Sequence, residues 1–279
     1  PSTLRKGIEY SRNLMTVRIA KILGLEEILD LSKKLNIYDE IPELLSVSLG
    51  AAETTLMSLT SAYAPFVNGG KKIDPKLISR IQDRRGKTIF KEKSIKCIGC
   101  DKFINDINTE LPKIENKSEQ VISEETAYQM TSILQGAVKR GTAKKLRSLN
   151  VPLAGKTGTT NDNYDAWFIG FSSNLVIGVY VGYDNPKTLG KFETGSKAAL
   201  PIFKDFVEKA LYKDDFGEFQ IPENIYLTSL NYDTGTKSSA DEKNVITEAL
   251  KLRDINNIDN NNLISTEGRD KIIKFRQFY

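Results

Sequence analysis

The residues best suited to do chemistry lie in the segment 155–160, which reads Gly-Lys-Thr-Gly-Thr-Thr. It places one lysine among three hydroxyl side chains and two glycines. A lysine ammonium is cationic at neutral pH and hydroxyl groups donate hydrogen bonds, so this composition suits the binding of an anionic group. Two kinds of anion site fit it, and they differ in the elements that must flank the segment.

A phosphate-binding P-loop is the first interpretation, and the flanking residues disfavour it. That loop has the pattern Gly-x-x-x-x-Gly-Lys-Ser/Thr, in which the leading glycine lets backbone amides wrap the phosphate. The leading position here holds Asn150. The residues around Lys156 also have the pattern of a strand, whereas a P-loop leads into a helix whose N-terminus holds the anion. We therefore do not expect an NTPase.

A strand that presents Lys156 to a cleft is the second interpretation. On an edge strand the lysine supplies positive potential, the hydroxyls beside it bind a substrate carboxylate, and a glycine lets a substrate backbone approach closely. Strand patterns run over 151–157, 167–172 and 175–183. A short turn at Ser173-Asn174 joins the last two, which predicts an antiparallel pair.

Helices are predicted before and after these strands. Apolar residues at helical spacing indicate helices after Ser11-Arg12-Asn13, at about 25–35, at 56–67, from an N-cap at Ser123 to Gly141, and at about 198–212. Residues 77–90 have the pattern of a hairpin around a turn at 83–86. Helices followed by antiparallel strands and a closing helix predict an α+β domain.

The pattern Ser-x-Asn could supply a hydroxyl and an amide to face the lysine. It begins at four positions: Ser11, Ser148, Ser172 and Ser229. Ser148 is too near Lys156 in sequence to lie across a cleft from it, Ser172 ends a strand, and Ser229 lies in a polar tail. Ser11-Arg12-Asn13 opens a helix far upstream, and it is the copy that we favour. The alternative for Ser11 is an ordinary helix cap.

Composition excludes several other chemistries. Histidine is absent, so a Ser-His-Asp triad, a His-ligated zinc and a histidine general base are ruled out. The net charge of +4 comes from 40 basic and 36 acidic residues, which gives little support to a nucleic-acid partner. Cys97 and Cys100 make only half of a zinc site, so we expect no metal and favour a local pair of thiols that can join as a disulfide.

Targeting and membrane signals are missing from the chain. It begins with Pro1, and no basic segment followed by an apolar segment opens it. We therefore expect the sequence to begin inside a longer protein or after processing. No apolar run approaches the roughly 18 residues of a membrane span, so any anchor is expected outside this chain.

Taken together, segments spread over residues 1–215 resemble the transpeptidase domain of class A, bifunctional penicillin-binding proteins. Lys156-Thr157-Gly158 matches the Lys-Thr-Gly motif of that family and Ser11-Arg12-Asn13 matches its Ser-x-Asn motif. The other similar segments are 68–70, 140–143, 154–161, 165–171, 181–184 and 199–203. The set is specific, although no single motif is.

The resemblance implies a fold and a division of the chain. The fold is the α+β penicillin-binding and β-lactamase-like fold, an antiparallel sheet with helices, incomplete at its N-terminus. We expect residues 1–215 to form a partial transpeptidase domain, with 91–120 as a loop or insertion. Residues 216–279 are expected to form a C-terminal extension that is partly disordered, because the stretch 256–262 is rich in Asn and Asp.

The resemblance also implies a serine acyl-transfer cycle without a cofactor. A serine attacks the D-Ala-D-Ala carbonyl of a peptidoglycan stem peptide, releases D-Ala, and passes the acyl group to an amine; β-lactams acylate the same serine. Lys156 and Ser11 would relay protons, Asn13 would bind the substrate amide, and Thr157, Gly158 and Thr159 would bind the substrate at its carboxylate. The family further implies a membrane-anchored protein on the periplasmic face of the bacterial cytoplasmic membrane, with other cell-wall synthesis proteins as partners.

One departure from the family bears on activity. No serine in this chain has a lysine three positions later, so the nucleophilic Ser-x-x-Lys motif is missing. In the family that motif precedes Ser-x-Asn, which would place it before Pro1. We therefore expect the chain to be inactive by itself. Two alternatives stay open: a non-catalytic module that binds peptidoglycan or proteins, and a β-lactamase-like serine hydrolase, which needs the same serine.

Overall fold

The computed structural model describes residues 2–38, 40–92, 95–100, 112–116, 118–212, 215–239 and 242–257. The helices are α1 (Leu4–Glu9), α2 (Asn13–Leu23), α3 (Leu25–Lys34), α4 (Leu56–Ala62), α5 (Ala64–Val67), α6 (Glu124–Lys139) and α7 (Ala199–Ala210). The strands are β1 (Arg80–Gln82), β2 (Thr88–Lys91), β3 (Ile95–Ile98), β4 (Lys113–Asn116), β5 (Ala154–Thr159), β6 (Ala166–Phe171), β7 (Val176–Val181), β8 (Ile225–Asn231) and β9 (Val245–Lys251). None of the helices in these ranges combines the length and the apolar character that crossing a membrane requires.

A three-stranded antiparallel sheet, in the order β5-β6-β7, carries the Lys156 segment on its edge. This confirms the predicted antiparallel strands and the α+β class. The first strand begins at Ala154 and not at Val151 as predicted, because Pro152 has no backbone N–H for a strand ladder. Its last residue is Thr159, so the whole Lys-Thr-Gly-Thr stretch lies in β5.

Helices cover both faces of this sheet. On one face Phe203 of α7 meets Phe168 of β6 edge to face, with ring centroids 4.8 Å apart, and both rings are fully buried. The other face lies against α4, where Gly178 of β7 approaches Thr60. A second buried cluster, which includes Leu134 of α6 and Phe171 of β6, joins α6 to the sheet. The edge strand is thus held on a rigid core.

One predicted helix needed correction, one short helix was not predicted, and one prediction was confirmed in detail. The helix α1 was not predicted, because six residues are too few to show a helical period. The helix predicted over 56–67 is two helices, since the proline ring of Pro65 cannot fit inside a continuous helix. Ser123 is the N-cap of α6, as predicted, and its side chain accepts a hydrogen bond from the Thr126 backbone.

Hairpins replace two of the segments for which no regular structure was predicted. In 91–120, β3 pairs with β4 and Cys97 forms a disulfide with Cys100, while residues 101–111 lie outside the described part. In the C-terminal region, β8 pairs with β9 over seven residue pairs. Of the Asn- and Asp-rich stretch 256–262, residues 258–262 lie outside the described residues. The strands β3 and β4 have only four residues each, and β8 and β9 do not alternate apolar with polar residues, so their sequences did not signal strands. The predicted hairpin at 77–90 is confirmed as β1 and β2.

Candidate active site

Lys156 and Ser11, the two residues singled out by motif spacing, are in direct contact. The Lys156 Nζ donates a hydrogen bond to the Ser11 Oγ and a second one, of 2.9 Å, to the Thr157 carbonyl oxygen. Ser11 lies between α1 and α2, whereas Lys156 lies in the edge strand β5. A cationic amine and a hydroxyl from distant parts of the chain therefore meet at the edge of the sheet.

The backbone at Ser11 has a conformation that serine rarely adopts. The Ser11 N–H bonds the Ile8 carbonyl at 3.1 Å and the Arg12 N–H bonds the Gly7 carbonyl at 2.8 Å, which is the Schellman pattern that ends a helix. Ser11 occupies the left-handed position of this motif, with φ of +53°. Glycine normally fills that position, because a Cβ there costs about 1–2 kcal/mol. The N-cap residue of α2 is Arg12, without a side-chain cap bond, so Ser11 is not an ordinary helix cap.

Burial lowers the pKa of Lys156 from 10.5 to about 8, since desolvation disfavours the charged amine. The ammonium is therefore the main species at neutral pH, yet the amine can release its proton far more readily than a surface lysine. A group with a pKa near the working pH is suited to pass a proton to and from a hydroxyl. The Lys156–Ser11 pair can bind an anion and relay a proton.

The other predicted residues lie along the same strand or next to Ser11. The Thr157 hydroxyl is 2.9 Å from the Thr142 hydroxyl, and the Thr159 hydroxyl accepts a hydrogen bond of 3.0 Å from the Gly195 N–H. Gly158 lies between these two threonines and is paired with Trp167 of β6. The structure thus places two hydroxyls and one ammonium within four residues of one edge strand.

Asn13 is the least connected of the predicted site residues. It is the first residue of α2, is exposed, and lies two positions after Ser11. Over the described ranges no residue forms a hydrogen bond with its side chain, so its amide is not tied to Lys156 or to β5. The structure therefore brings Ser11, Lys156 and Thr157 together and leaves the Asn13 side chain exposed beside them.

A buried ionic cluster around Glu9 supports Ser11, and the sequence did not reveal it. The fully buried Glu9 carboxylate accepts hydrogen bonds from Arg140 at 2.6 and 3.1 Å and from the Tyr232 hydroxyl at 2.6 Å. Arg5 lies 3.4 Å from the same carboxylate and also pairs with Glu248 of β9. Arg5 and Glu9 have the i, i+4 spacing of an ordinary surface ion pair, and nothing in that spacing signals burial.

Two glycines of the α6 region make the close approach of Glu9 feasible. A Cβ on Gly136 would lie 1.7 Å from the Glu9 Oε1, and one on Gly141 would lie 2.1 Å from the Glu9 carbonyl oxygen. Any larger residue at either position would push α1 away from α6. The C-terminal end of α1, and with it the loop that carries Ser11, is therefore fixed against α6.

In the parts of the chain that the structure describes, no group of three or more Asp, Glu, Cys or His side chains is arranged to hold a metal ion. The groups that the site presents are an amine, hydroxyls and backbone groups.

Comparison with known proteins gives the family. The family model described as "Penicillin binding protein transpeptidase domain" matches residues 1–208. Penicillin-binding protein 1A of Rickettsia conorii is 40% identical over 277 residues, which cover 98% of this chain and 34% of that protein. Penicillin-binding protein 1A of Pseudomonas aeruginosa is 31% identical and is matched by 91% of this chain.

A solved structure agrees with these relatives. The crystal structure of penicillin-binding protein 1A from Haemophilus influenzae has a TM-score of 0.75 and 31% identity, and the match covers 89% of this chain and 40% of that one. The chain spans about a third of the length of the curated relatives it matches. With a family match that covers residues 1–208 and relatives of this identity, the chain belongs to the family of penicillin-binding protein transpeptidase domains.

Proposed function

We propose that this chain supplies the Lys-Thr-Gly and Ser-x-Asn side of a D-Ala-D-Ala transpeptidase site in a peptidoglycan synthase. The observation that carries the proposal is the hydrogen bond from Lys156 to Ser11, which joins the two motifs at the edge strand β5. The ligands are the D-Ala-D-Ala ends of stem peptides and the β-lactams that resemble them. The relatives named penicillin-binding protein 1A support this assignment.

Each residue of the site has a proposed role in binding. The ammonium of Lys156 attracts the terminal carboxylate of the ligand, and the hydroxyls of Thr157 and Thr159 donate hydrogen bonds to it. The outer edge of β5 pairs with the peptide backbone as an added strand, with Gly158 allowing the close approach. The exposed amide of Asn13 binds a backbone amide of the ligand.

The proposed reaction is acyl transfer through a serine ester. A serine hydroxyl attacks the carbonyl between the two D-Ala residues, its proton passes to the departing D-Ala amine, and a second amine later displaces the serine. Lys156 and Ser11 carry protons in these steps, which the lowered pKa of Lys156 favours. The attacking serine belongs to a Ser-x-x-Lys motif that this sequence does not contain, so the chain by itself is inactive.

A fluorescent penicillin tests the inactivity. We expect no covalent labelling of the chain, because it offers no activated serine. A labelled band that survives denaturation, followed by a modified serine in the peptide map, would contradict the proposal.

Ligand binding without acylation tests the site itself. We expect an N-acylated D-Ala-D-Ala dipeptide to bind weakly in an NMR titration, and Lys156→Ala to abolish that binding. The matched control is Lys209→Ala, since Lys209 is exposed on α7 and pairs with its helix neighbour Asp205. Loss of binding in both variants would show that general charge, and not the site, attracts the ligand.

The missing Ser-x-x-Lys motif favours one competing function, a non-catalytic module that recognises peptidoglycan or another cell-wall synthesis protein. If the Lys156→Ala variant still binds the dipeptide, this result would favour the non-catalytic module over the transpeptidase site. In either case we propose that the protein acts at the periplasmic side of a bacterial cytoplasmic membrane, where its substrate lies.

A further inference from the structure

Thr142 contacts both segments that carry the proposed site, although neither motif includes it. It lies in the turn that follows α6. Its backbone N–H donates a hydrogen bond of 3.1 Å to the carbonyl oxygen of Glu9, which is two residues before Ser11. Its hydroxyl lies 2.9 Å from the hydroxyl of Thr157 in β5. Thr142 therefore links the loop of Ser11 to the strand of Lys156.

The turn that holds Thr142 is fixed on both sides. Gly141 packs against the backbone of Glu9 so closely that a Cβ would lie 2.1 Å from the carbonyl oxygen. On the other side Ala143 is fully buried, and its N–H bonds the Ala137 carbonyl at 3.1 Å. The half-buried side chain of Thr142 is thus held at a set distance from Thr157.

The direction of the hydrogen bond between the two threonines decides what Thr157 can bind. A hydroxyl has one proton and two acceptor sites, and either member of this pair can donate. An ionised carboxylate can only accept. To bind a carboxylate, Thr157 must direct its single proton at the ligand. Thr142 must then be the donor within the pair.

We propose that Thr142 is a positioning residue for carboxylate recognition: by donating to the Thr157 oxygen, it turns the Thr157 proton towards the terminal carboxylate of the ligand. The inference rests on the proposed function and deepens it, because it assigns preference for a free carboxylate to a residue outside both motifs. The proposed route is Thr142 to Thr157 to ligand, so Thr142 acts without touching the ligand.

The test compares two ligands and two variants by NMR titration of the chain. The ligands are an N-acylated D-Ala-D-Ala dipeptide and its C-terminal amide, which lacks the negative charge. Thr142→Val keeps the shape and removes the donor, and we expect it to weaken binding of the acid about fivefold, the scale of one hydrogen bond. Binding of the amide should be unchanged. Thr142→Ser restores the donor, so it should bind the acid within about twofold of the unaltered chain.

Thr236→Val is the matched control, because it breaks a threonine–threonine hydroxyl pair of 2.8 Å in the C-terminal hairpin and Thr236, like Thr142, is half-buried. It should change the affinity for neither the acid nor the amide.

Equal binding of the acid by Thr142→Val and the unaltered chain would overturn the role of Thr142 alone. Equal weakening of acid and amide would overturn it as well, by showing a packing effect. If the unaltered chain binds neither ligand, the proposed function fails and the role of Thr142 falls with it. Should Thr142→Val fail to fold, Thr142→Ala replaces it with the same outcomes.

Discussion

Ser11 combines an unfavourable backbone conformation with a side chain that contacts Lys156. Its φ of +53° suits glycine, and its hydroxyl accepts a hydrogen bond from the amine. Strained residues persist where the side chain is needed, which is why this conformation supports a functional role. Two substitutions of Ser11 that both remove the hydroxyl, to glycine and to alanine, separate the backbone strain from the contact with Lys156.

We predict that Ser11→Gly is more stable than Ser11→Ala by about 1 kcal/mol, because only alanine keeps the Cβ that the left-handed conformation disfavours. Both variants lose the hydroxyl, so the difference isolates the backbone. Urea unfolding of the two variants measures it. An alanine variant as stable as the glycine variant would show that Ser11 is not strained.

The pKa of Lys156 makes stability depend on pH. Because that pKa is about 8 in the folded chain and near 10.5 when exposed, the unfolded chain binds more protons between these values. Stability therefore rises as the pH increases from about 8 towards 10, and this gain is absent below pH 8. We predict that Lys156→Met removes the rise, as measured by urea unfolding across that range. The same slope in both proteins would contradict the lowered pKa.

The sequence identified some residues of the candidate site and missed others for a physical reason. Ser11 and Lys156 could be found because each belongs to a short pattern with a chemical meaning. Thr142 lies in the similar segment 140–143, but no chemical role follows from that segment, and Glu9 belongs to no such pattern. Their importance arises from a hydrogen bond to Thr157 and from burial among Arg140 and Tyr232, and only the folded chain shows these contacts.

At the scale of elements, the C-terminal hairpin is joined to the helices that support Ser11. The Tyr232 hydroxyl donates to Glu9, and Glu248 of β9 pairs with Arg5. In addition, the amine of Lys251 in β9 donates a hydrogen bond of 2.8 Å to the Thr126 hydroxyl of α6. The hydrogen bond from Tyr232 and its burial raise the pKa of that phenol well above its ordinary value, with burial the larger cause. The tyrosine is therefore a donor to Glu9 at any physiological pH.

We predict that Tyr232→Phe lowers the free energy of unfolding by about 1–3 kcal/mol, the cost of leaving a buried charged acceptor with one donor fewer. Tyr226→Phe is the control, since Tyr226 is exposed in the same hairpin and should change stability little. Urea unfolding measures both. Equal effects would mean that the bond to Glu9 contributes nothing specific.

Strands with continuous apolar runs and long helices were predictable, and the shorter or less regularly patterned elements were not. The pattern of β6 and β7 is strong because both faces of the sheet pack on helices. Helix α1 is held by the ionic cluster and by packing on α6, which its six residues cannot reveal. The hairpin of β8 and β9 was missed because its strands do not alternate apolar and polar residues. The apolar residues of β9 come in the adjacent pairs Val245-Ile246 and Ala249-Leu250, four positions apart, which is closer to a helical period.

At the scale of the whole molecule, the packed structure extends further along the chain than the segment that matches the family. The match ends at residue 208, whereas the hairpin at 225–251 packs on α1 and α6. The division into a domain at 1–215 and an extension at 216–279 stays a prediction. Contacts of the hairpin with Arg5 and Glu9 indicate that removal of residues 216–279 would weaken the support of Ser11.

The proposed function requires Lys156 and Ser11 to form one wall of a ligand-binding cleft. The most direct test is an NMR titration with an N-acylated D-Ala-D-Ala dipeptide that follows the Lys156 side chain and the Ser11 amide. We predict that both signals shift as the ligand binds and that the pKa of Lys156 rises from about 8, because the bound carboxylate favours the charged amine. A ligand that binds and leaves both signals and this pKa unchanged would contradict the account.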